Sequence, residues 1–167
     1  FVPGEALKVV YDTPKLQEIA NQFAEDYRLM FGIQPTVIEG KPQAGDFFLT
    51  TKKDKKLGRE GYAVDIDKYV KISAPEPIGV YWATRTLLQM SEKNEGRKLP
   101  EGVIRDWPGY GTRGFLIDCG RKFIPMAYLQ DLARIMSYYK MNFLHIVLNN
   151  NGFPQYFNND WNRTYAA

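Results

Sequence analysis

The chain contains one cysteine, Cys119, and one histidine, His145. A lone cysteine excludes an internal disulfide, and one cysteine with one histidine cannot assemble the usual four-ligand zinc site, so metal chemistry is not expected. No stretch approaches the roughly 18 uninterrupted apolar residues of a membrane span. An excess of one charge is lacking too: 22 Lys and Arg stand against 19 Asp and Glu, for a net +3. Composition therefore gives no electrostatic argument for nucleic acid or a membrane surface. Disorder is excluded by the opposite feature, since 44% apolar and 14% aromatic residues are ample for a packed core. The chain begins at Phe1 without a Met, as expected if a leader has been removed.

The first hundred residues alternate helical and strand signals. Leu7 to Tyr11 is a β-type run, and Thr13-Pro14 is a helix start, with Thr13 placed to cap free amides and Pro14 suited to the first helical position. Leu16, Ile19, Ala20, Phe23, Tyr27 and Met30 then recur at three- and four-residue steps, and Gly32 supplies a stop. This is an amphipathic helix lying on a sheet. Thr36 to Ile38, Phe47 to Thr51, Tyr62 to Ile66 and Val70 to Ala74 read as strands. The lysine-rich stretch from Lys52 to Lys56 reads as a solvated hairpin tip. Ile78 to Glu92 resumes helical spacing, with Trp82, Leu87, Leu88 and Met90 on a broad apolar face.

Residues 1–100 thus form a small α+β domain. Residues 101–112, rich in Gly, Pro and charge, read as a linker holding one short strand, Val103 to Trp107. Within it, Gly109-Tyr110-Gly111-Thr112-Arg113-Gly114 matches G-x-G-x-x-G, but a dinucleotide fingerprint needs those glycines after a strand and opening a helix. Here they precede a strand, so they are read as the turn into it and a nucleotide-binding function is disfavoured.

From residue 113 the pattern is strand, helix, strand: Phe115 to Ile117, Met126 to Tyr139 with Leu129, Leu132, Ala133, Met136 and Tyr139 inward, and Phe143 to Leu148. A crossover helix of this length returns the chain to the same end of the sheet, so the strands are parallel neighbours. Parallel strands are stable only with both faces covered, so residues 113–167 are expected to open a larger α/β domain.

"RGFLIDCGRKF" followed by "YLQDLARIMSYYKMNFLHIVLN" resembles the start of the catalytic barrel of family 20 glycoside hydrolases, the β-N-acetylhexosaminidases. Upstream, "GREGYAVDID", "KISAPEPIGVYWATRTLLQM" and "VIRDWPGYGTRG" resemble the small domain that precedes that barrel. The resemblance implies an α+β domain followed by the truncated beginning of a (β/α)8 TIM barrel. It further implies that the partner is a glycan ending in N-acetylhexosamine, that no cofactor is needed, and that the protein works in the periplasm or outside the cell.

In the family's scheme the substrate's own acetamido oxygen attacks the anomeric carbon, an Asp orients that group and a Glu protonates the leaving oxygen. Those two residues are consecutive, and this chain contains no Asp-Glu dipeptide. The residues here are therefore expected to be inactive alone. Arg113 matches the arginine that donates to hydroxyls of the terminal sugar, although it stands at the start of its strand while barrel ligands sit at strand carboxyl ends. Asp118, Arg121, His145 and Asn150 match pocket or supporting positions, against plainer readings of Asp118 and Arg121 as a structural pair and His145 as a hydrogen-bonded core residue. Where the family commonly reads His-Leu-x-Asp-Asp, this sequence reads Val147-Leu148-Asn149-Asn150-Asn151. An Asn at position 150 cannot stabilise a developing imidazolium as an anion does, which leaves a non-catalytic sugar-binding or scaffold role open.

Overall fold

The computed structural model describes residues 1–96, 98–120 and 122–148. They fall into two units, Phe1–Gly109 and Tyr110–Ala167.

In the first unit, strand β1 (Lys8–Tyr11) leads through a 3-10 turn at Pro14–Leu16 into helix α1 (Gln17–Phe31). Pro14 starts the turn as its fixed φ favours, but Thr13 makes no side-chain cap; its carbonyl instead accepts the Leu16 N–H at 2.9 Å. Gly32, at φ 69°, ends the helix by donating its N–H to the Arg28 carbonyl. The inner face of α1 is Ala20, Phe23, Ala24 and Tyr27, all buried, whereas Met30 is 38% exposed.

The remaining elements are β2 (Thr36–Glu39), β3 (Phe47–Thr51), β4 (Tyr62–Ile66), β5 (Val70–Ala74), α2 (Pro77–Glu92) and β6 (Gly102–Asp106). The sheet order is β2-β1-β3-β5-β4-β6, parallel from β2 through β5 and antiparallel for β4 with both β5 and β6. Two expectations are corrected by this order. Because β5 lies between β3 and β4, the lysine-rich stretch is a crossover connection and cannot be a hairpin tip. The strand assigned to a linker is β6, an edge member of the sheet paired residue by residue with β4, from Tyr62↔Asp106 to Ile66↔Gly102. The strand itself is close to the one read from Val103 to Trp107; its pairing with β4 is what the sequence does not show.

Register places Val9, Phe47, Val70 and Ile66 in one row, and Tyr11, Leu49, Ile72 and Val64 in the next, all buried. This is the face that the helices cover: Phe23 and Tyr27 of α1 stack on Phe47 with centroids 5.0 and 5.4 Å apart. Helix α2 approaches so closely that a Cβ at Gly79 would stand 2.4 Å from the Gly61 carbonyl oxygen. A buried ion pair joins the helices, Arg85 Nη1 donating to Asp26 Oδ2 at 2.5 Å. On the opposite face register groups the polar Asp65, Lys71, Ser73 and Arg105 with Val10, Phe48, Ala63 and Val103.

Two buried phenols hold neutral positions in this core. Tyr27 donates to the Gly96 carbonyl, and burial pushes its pKa up to about 12. Tyr62 donates to Asp106 Oδ2 at 2.6 Å, fastening β4 to β6, and burial followed by that carboxylate raises its pKa further.

In the second unit β7 (Gly114–Asp118), α3 (Met126–Tyr138) and β8 (Phe143–Val147) form a strand-helix-strand unit whose strands pair in parallel, Gly114↔Phe143 through Asp118↔Val147. The sheet has two strands among the described residues. Of the residues expected to face inward from α3, only Met136 is buried; Ala133 is exposed and Tyr139 is 64% exposed. Two strands are too narrow to cover a helix of this length on one whole side.

Both tyrosines predict alkaline sensitivity. Between pH 10, where an ordinary phenol ionises, and about 12 the unfolded chain loses a proton that folded Tyr27 keeps, so the folded state binds more protons and stability falls as pH rises. Denaturant titrations should give constant stability up to about pH 10 and a decline above it. Tyr27→Phe should be about 1 kcal/mol less stable at neutral pH, for want of one hydrogen bond, yet show a shallower alkaline decline.

Candidate active site

The second unit is fastened at the amino ends of its strands. Arg113 Nε donates to the Lys140 carbonyl and Nη1 to the Tyr110 carbonyl, each at 2.8 Å. The Arg113 N–H donates to Asn142 Oδ1 at 2.9 Å, and the Arg113 carbonyl accepts the N–H groups of Asn142 and Phe143. Asn142 Nδ2 closes the ring onto the Gly111 carbonyl at 2.8 Å. Lys140 turns the chain out of α3 with φ 57°, a left-handed value unusual for a residue with a side chain, and its carbonyl is thereby aimed at the guanidinium. Asn142 is the member of this clamp that sequence reasoning did not assign. Its signal was its place between a helix stop and a strand, where a side-chain amide can satisfy backbone groups that neither element does.

Gly114 follows at the point of closest approach. A Cβ there would lie 2.6 Å from the Phe143 carbonyl oxygen, so the third glycine of the G-x-G-x-x-G run is required by strand packing. Gly109 and Gly111 border open space, and the run enters a strand, which fits the turn reading.

Parallel pairing puts Gly114, Leu116 and Asp118 of β7 on the same face as Phe143, His145 and Val147 of β8. Asp118 ends β7, half-buried, and its Oδ1 accepts the Gly120 N–H at 2.9 Å; beside it Cys119 N–H extends the ladder to the Val147 carbonyl. His145 opposes Leu116, is exposed, and its ring lies 6.2 Å from that of Phe143 at 65°. The expectation of a buried, hydrogen-bonded histidine is thus replaced by an accessible imidazole one strand away from a carboxylate. Arg113 stands at the opposite, amino end of the pair. Arg121 and Asn150, like Asn149 and Asn151, lie outside the described residues.

Apolar side chains are exposed on both faces of this strand pair: Leu116 at 55% and Phe143 at 51% on the Asp118 side, Phe115 at 47% and Ile146 at 37% on the other. An open pair of parallel strands with apolar side chains on both faces and Asp118 at the carboxyl end of β7 has the character of part of a larger parallel sheet. Residues 1–107 match the domain described as glycosyl hydrolase family 20, domain 2, and residues 110–159 match the glycosyl hydrolase family 20 catalytic domain.

The chain belongs to glycosyl hydrolase family 20.

It is similar to a beta-hexosaminidase of Akkermansia muciniphila, 40% identical over 75 residues that cover 44% of this chain and 15% of that protein. A beta-hexosaminidase of Porphyromonas gingivalis is 28% identical over 155 residues, 87% of this chain and 20% of the other. Among solved structures, a Streptomyces plicatus N-acetyl-beta-hexosaminidase superposes with TM-score 0.77 at 22% identity, covering 88% of this chain and 32% of that one. A Vibrio harveyi exo beta-N-acetylglucosaminidase in complex with N-acetylglucosamine gives 0.70 at 22% identity, covering 89% and 23%. The chain therefore spans about a fifth or less of the length of these curated relatives and up to about a third of the solved chains. No helix among the described residues is long and apolar enough to cross a membrane.

Gly114→Ala should force β7 and β8 apart at their amino ends and cost about 2 kcal/mol, the scale of an overpacked contact. In nuclear magnetic resonance spectra, cross-strand Overhauser contacts between β7 and β8 should weaken while those of the six-stranded sheet persist.

Proposed function

We propose that the protein carrying this chain is a β-N-acetylhexosaminidase that removes terminal β-linked N-acetylhexosamine by substrate-assisted, retaining hydrolysis, and that residues 113–167 open its (β/α)8 barrel. The observation that carries this reading is the match of residues 110–159 to the family's catalytic domain, over a stretch that folds as a parallel β7-α3-β8 unit. In this reaction the substrate's acetamido oxygen forms a bond to the anomeric carbon as the glycosidic bond breaks, and the leaving oxygen takes a proton from a glutamic acid. The Asp-Glu pair that would orient the acetamido group and deliver that proton does not occur in residues 1–167. Loss of general acid catalysis alone costs on the order of 10²- to 10⁴-fold, and loss of the pocket walls costs positioning as well.

On this reading Asp118 and His145 line or support the sugar pocket, which is supported by their shared face of the strand pair. Arg121 and Asn150 belong to the same group by their match to the family pattern. Arg113 is assigned to sugar hydroxyls; its guanidinium has donors in a fixed fork, two of them engaged with the Lys140 and Tyr110 carbonyls. The partner is a glycan ending in N-acetylhexosamine, and the place of action is periplasmic or extracellular. Names of relatives support the substrate: one solved neighbour is an exo-N-acetylglucosaminidase holding N-acetylglucosamine.

The three asparagines at 149–151 favour a second reading, a pocket that binds such a sugar without cleaving it, because carboxylates that tune the acid are replaced by amides. An aryl N-acetyl-β-hexosaminide separates the two. The longer protein that carries this chain should release the chromophore, and residues 1–167 alone should not. Turnover by residues 1–167 would contradict the assignment of the acid to another segment, and binding of N-acetylglucosamine without turnover by the longer protein would establish the second reading.

A further inference from the structure

The crossover connection between β3 and β4, residues 52–61, takes no part in the activity proposed above. It lies against the face of the six-stranded sheet that carries Asp65 and Lys71 and borders a cleft of about 200 Å³ whose polar lining is Lys52, Asp54, Asp65, Lys71, Ser73 and Arg105. Two contacts hold the connection there: Leu57 is buried, 4% exposed, and Arg105 of β6 donates to Asp54 Oδ2 at 2.7 Å. Asp54 Oδ1 also accepts the Lys56 N–H at 3.0 Å, and the arginine beside it holds its carboxyl below the usual range.

This ion pair consumes one cation and one carboxylate of the lining. What remains is Lys52 and Lys71 against Asp65, none of them ion-paired among the described residues. The same connection also carries the exposed Lys53, Lys55, Lys56 and Arg59, and Glu60. The cleft thus offers ammonium donors in excess of carboxylates, a serine hydroxyl and an aspartate acceptor, beside the apolar surface of Ala63 and Val103. A molecule that satisfies all of these carries an anionic group, several hydroxyls and a C–H face. We propose that this cleft is a secondary saccharide site, separate from the sugar-cleaving pocket and selective for an acidic sugar unit bearing a carboxylate or sulfate. That the anion is a sugar rests on the glycosidase reading; that it is an anion rests on the charges alone.

Glucuronic acid and glucose 6-sulfate test this without engaging a pocket built for N-acetyl groups, with glucose and inorganic sulfate as controls. In amide chemical-shift titrations of the protein, the acidic sugars should move the resonances of residues 52–57, Ala63, Lys71 and Ser73, more weakly as salt is raised. Lys52→Ala and Lys71→Gln should each weaken the binding about tenfold, the scale of one charge-assisted hydrogen bond, with unfolding midpoints unchanged. Glucose should leave these resonances in place. Absence of shifts in the cleft, equal shifts with inorganic sulfate, or binding indifferent to both lysine variants would each overturn the proposal. Hydrolysis of the aryl hexosaminide by the longer protein should be unaltered in Lys52→Ala, so failure of the glycosidase reading and failure of this site give different results.

Discussion

The parallel pairing of β7 with β8, clamped at its amino end by Arg113 and Asn142, is the constraint on which the second unit depends. The side chains of Arg113 and Asn142 together satisfy four backbone groups where the chain enters β7 and leaves α3, and at Gly114 a Cβ would hold the strands apart. With the amino end fixed, the two-residue period of the strands does the rest: it brings Asp118 and His145 to one face without any contact between them being needed. Arg113 therefore stands where it organises the pair, at the end of the strands opposite Asp118.

The two units solve the problem of covering a sheet differently. In the first, two helices seal one face, the other mixes charged side chains with Val10, Phe48 and Val103, and a half-buried Arg85–Asp26 pair ties the helices together. Nothing large and apolar is left over on the sheet's helix-facing rows. In the second, Leu116 and Phe143 on one face and Phe115 and Ile146 on the other remain exposed among the described residues, although all four have the composition of a barrel interior or a helix-covered exterior. A strand pair apolar on both faces requires cover on both.

Much of this was legible in the sequence because the signals were local. The 3.6-residue spacing from Leu16 to Tyr27, the stop at Gly32 and the strand-helix-strand rhythm after Gly114 each depend on a few adjacent side chains, and each is found where it was read. What was not legible was set by partners distant in sequence. The short strand read in the linker is β6, but its place at the edge of the six-stranded sheet depends on Tyr62 and Val64, which pair with it from far earlier in the chain. The lysine-rich connection resembles a hairpin tip until β5 is known to intervene between β3 and β4. His145 reads as a core residue from its apolar neighbours, yet the faces of that strand are open. The proposed site residues were read from a family pattern, since no spacing of Asp118 and His145 in sequence announces a shared face.

The central claim is that β7, α3 and β8 form a parallel-paired strand-helix-strand unit whose two apolar faces are uncovered among the described residues, whereas the first unit buries the helix-facing rows of its own sheet. Amide hydrogen exchange on residues 1–167 tests it most directly. The account predicts strong protection in β1, β3 and β5, and protection in β7 and β8 lower by orders of magnitude although their hydrogen-bond register is the one described. Equal protection in both sheets would contradict it.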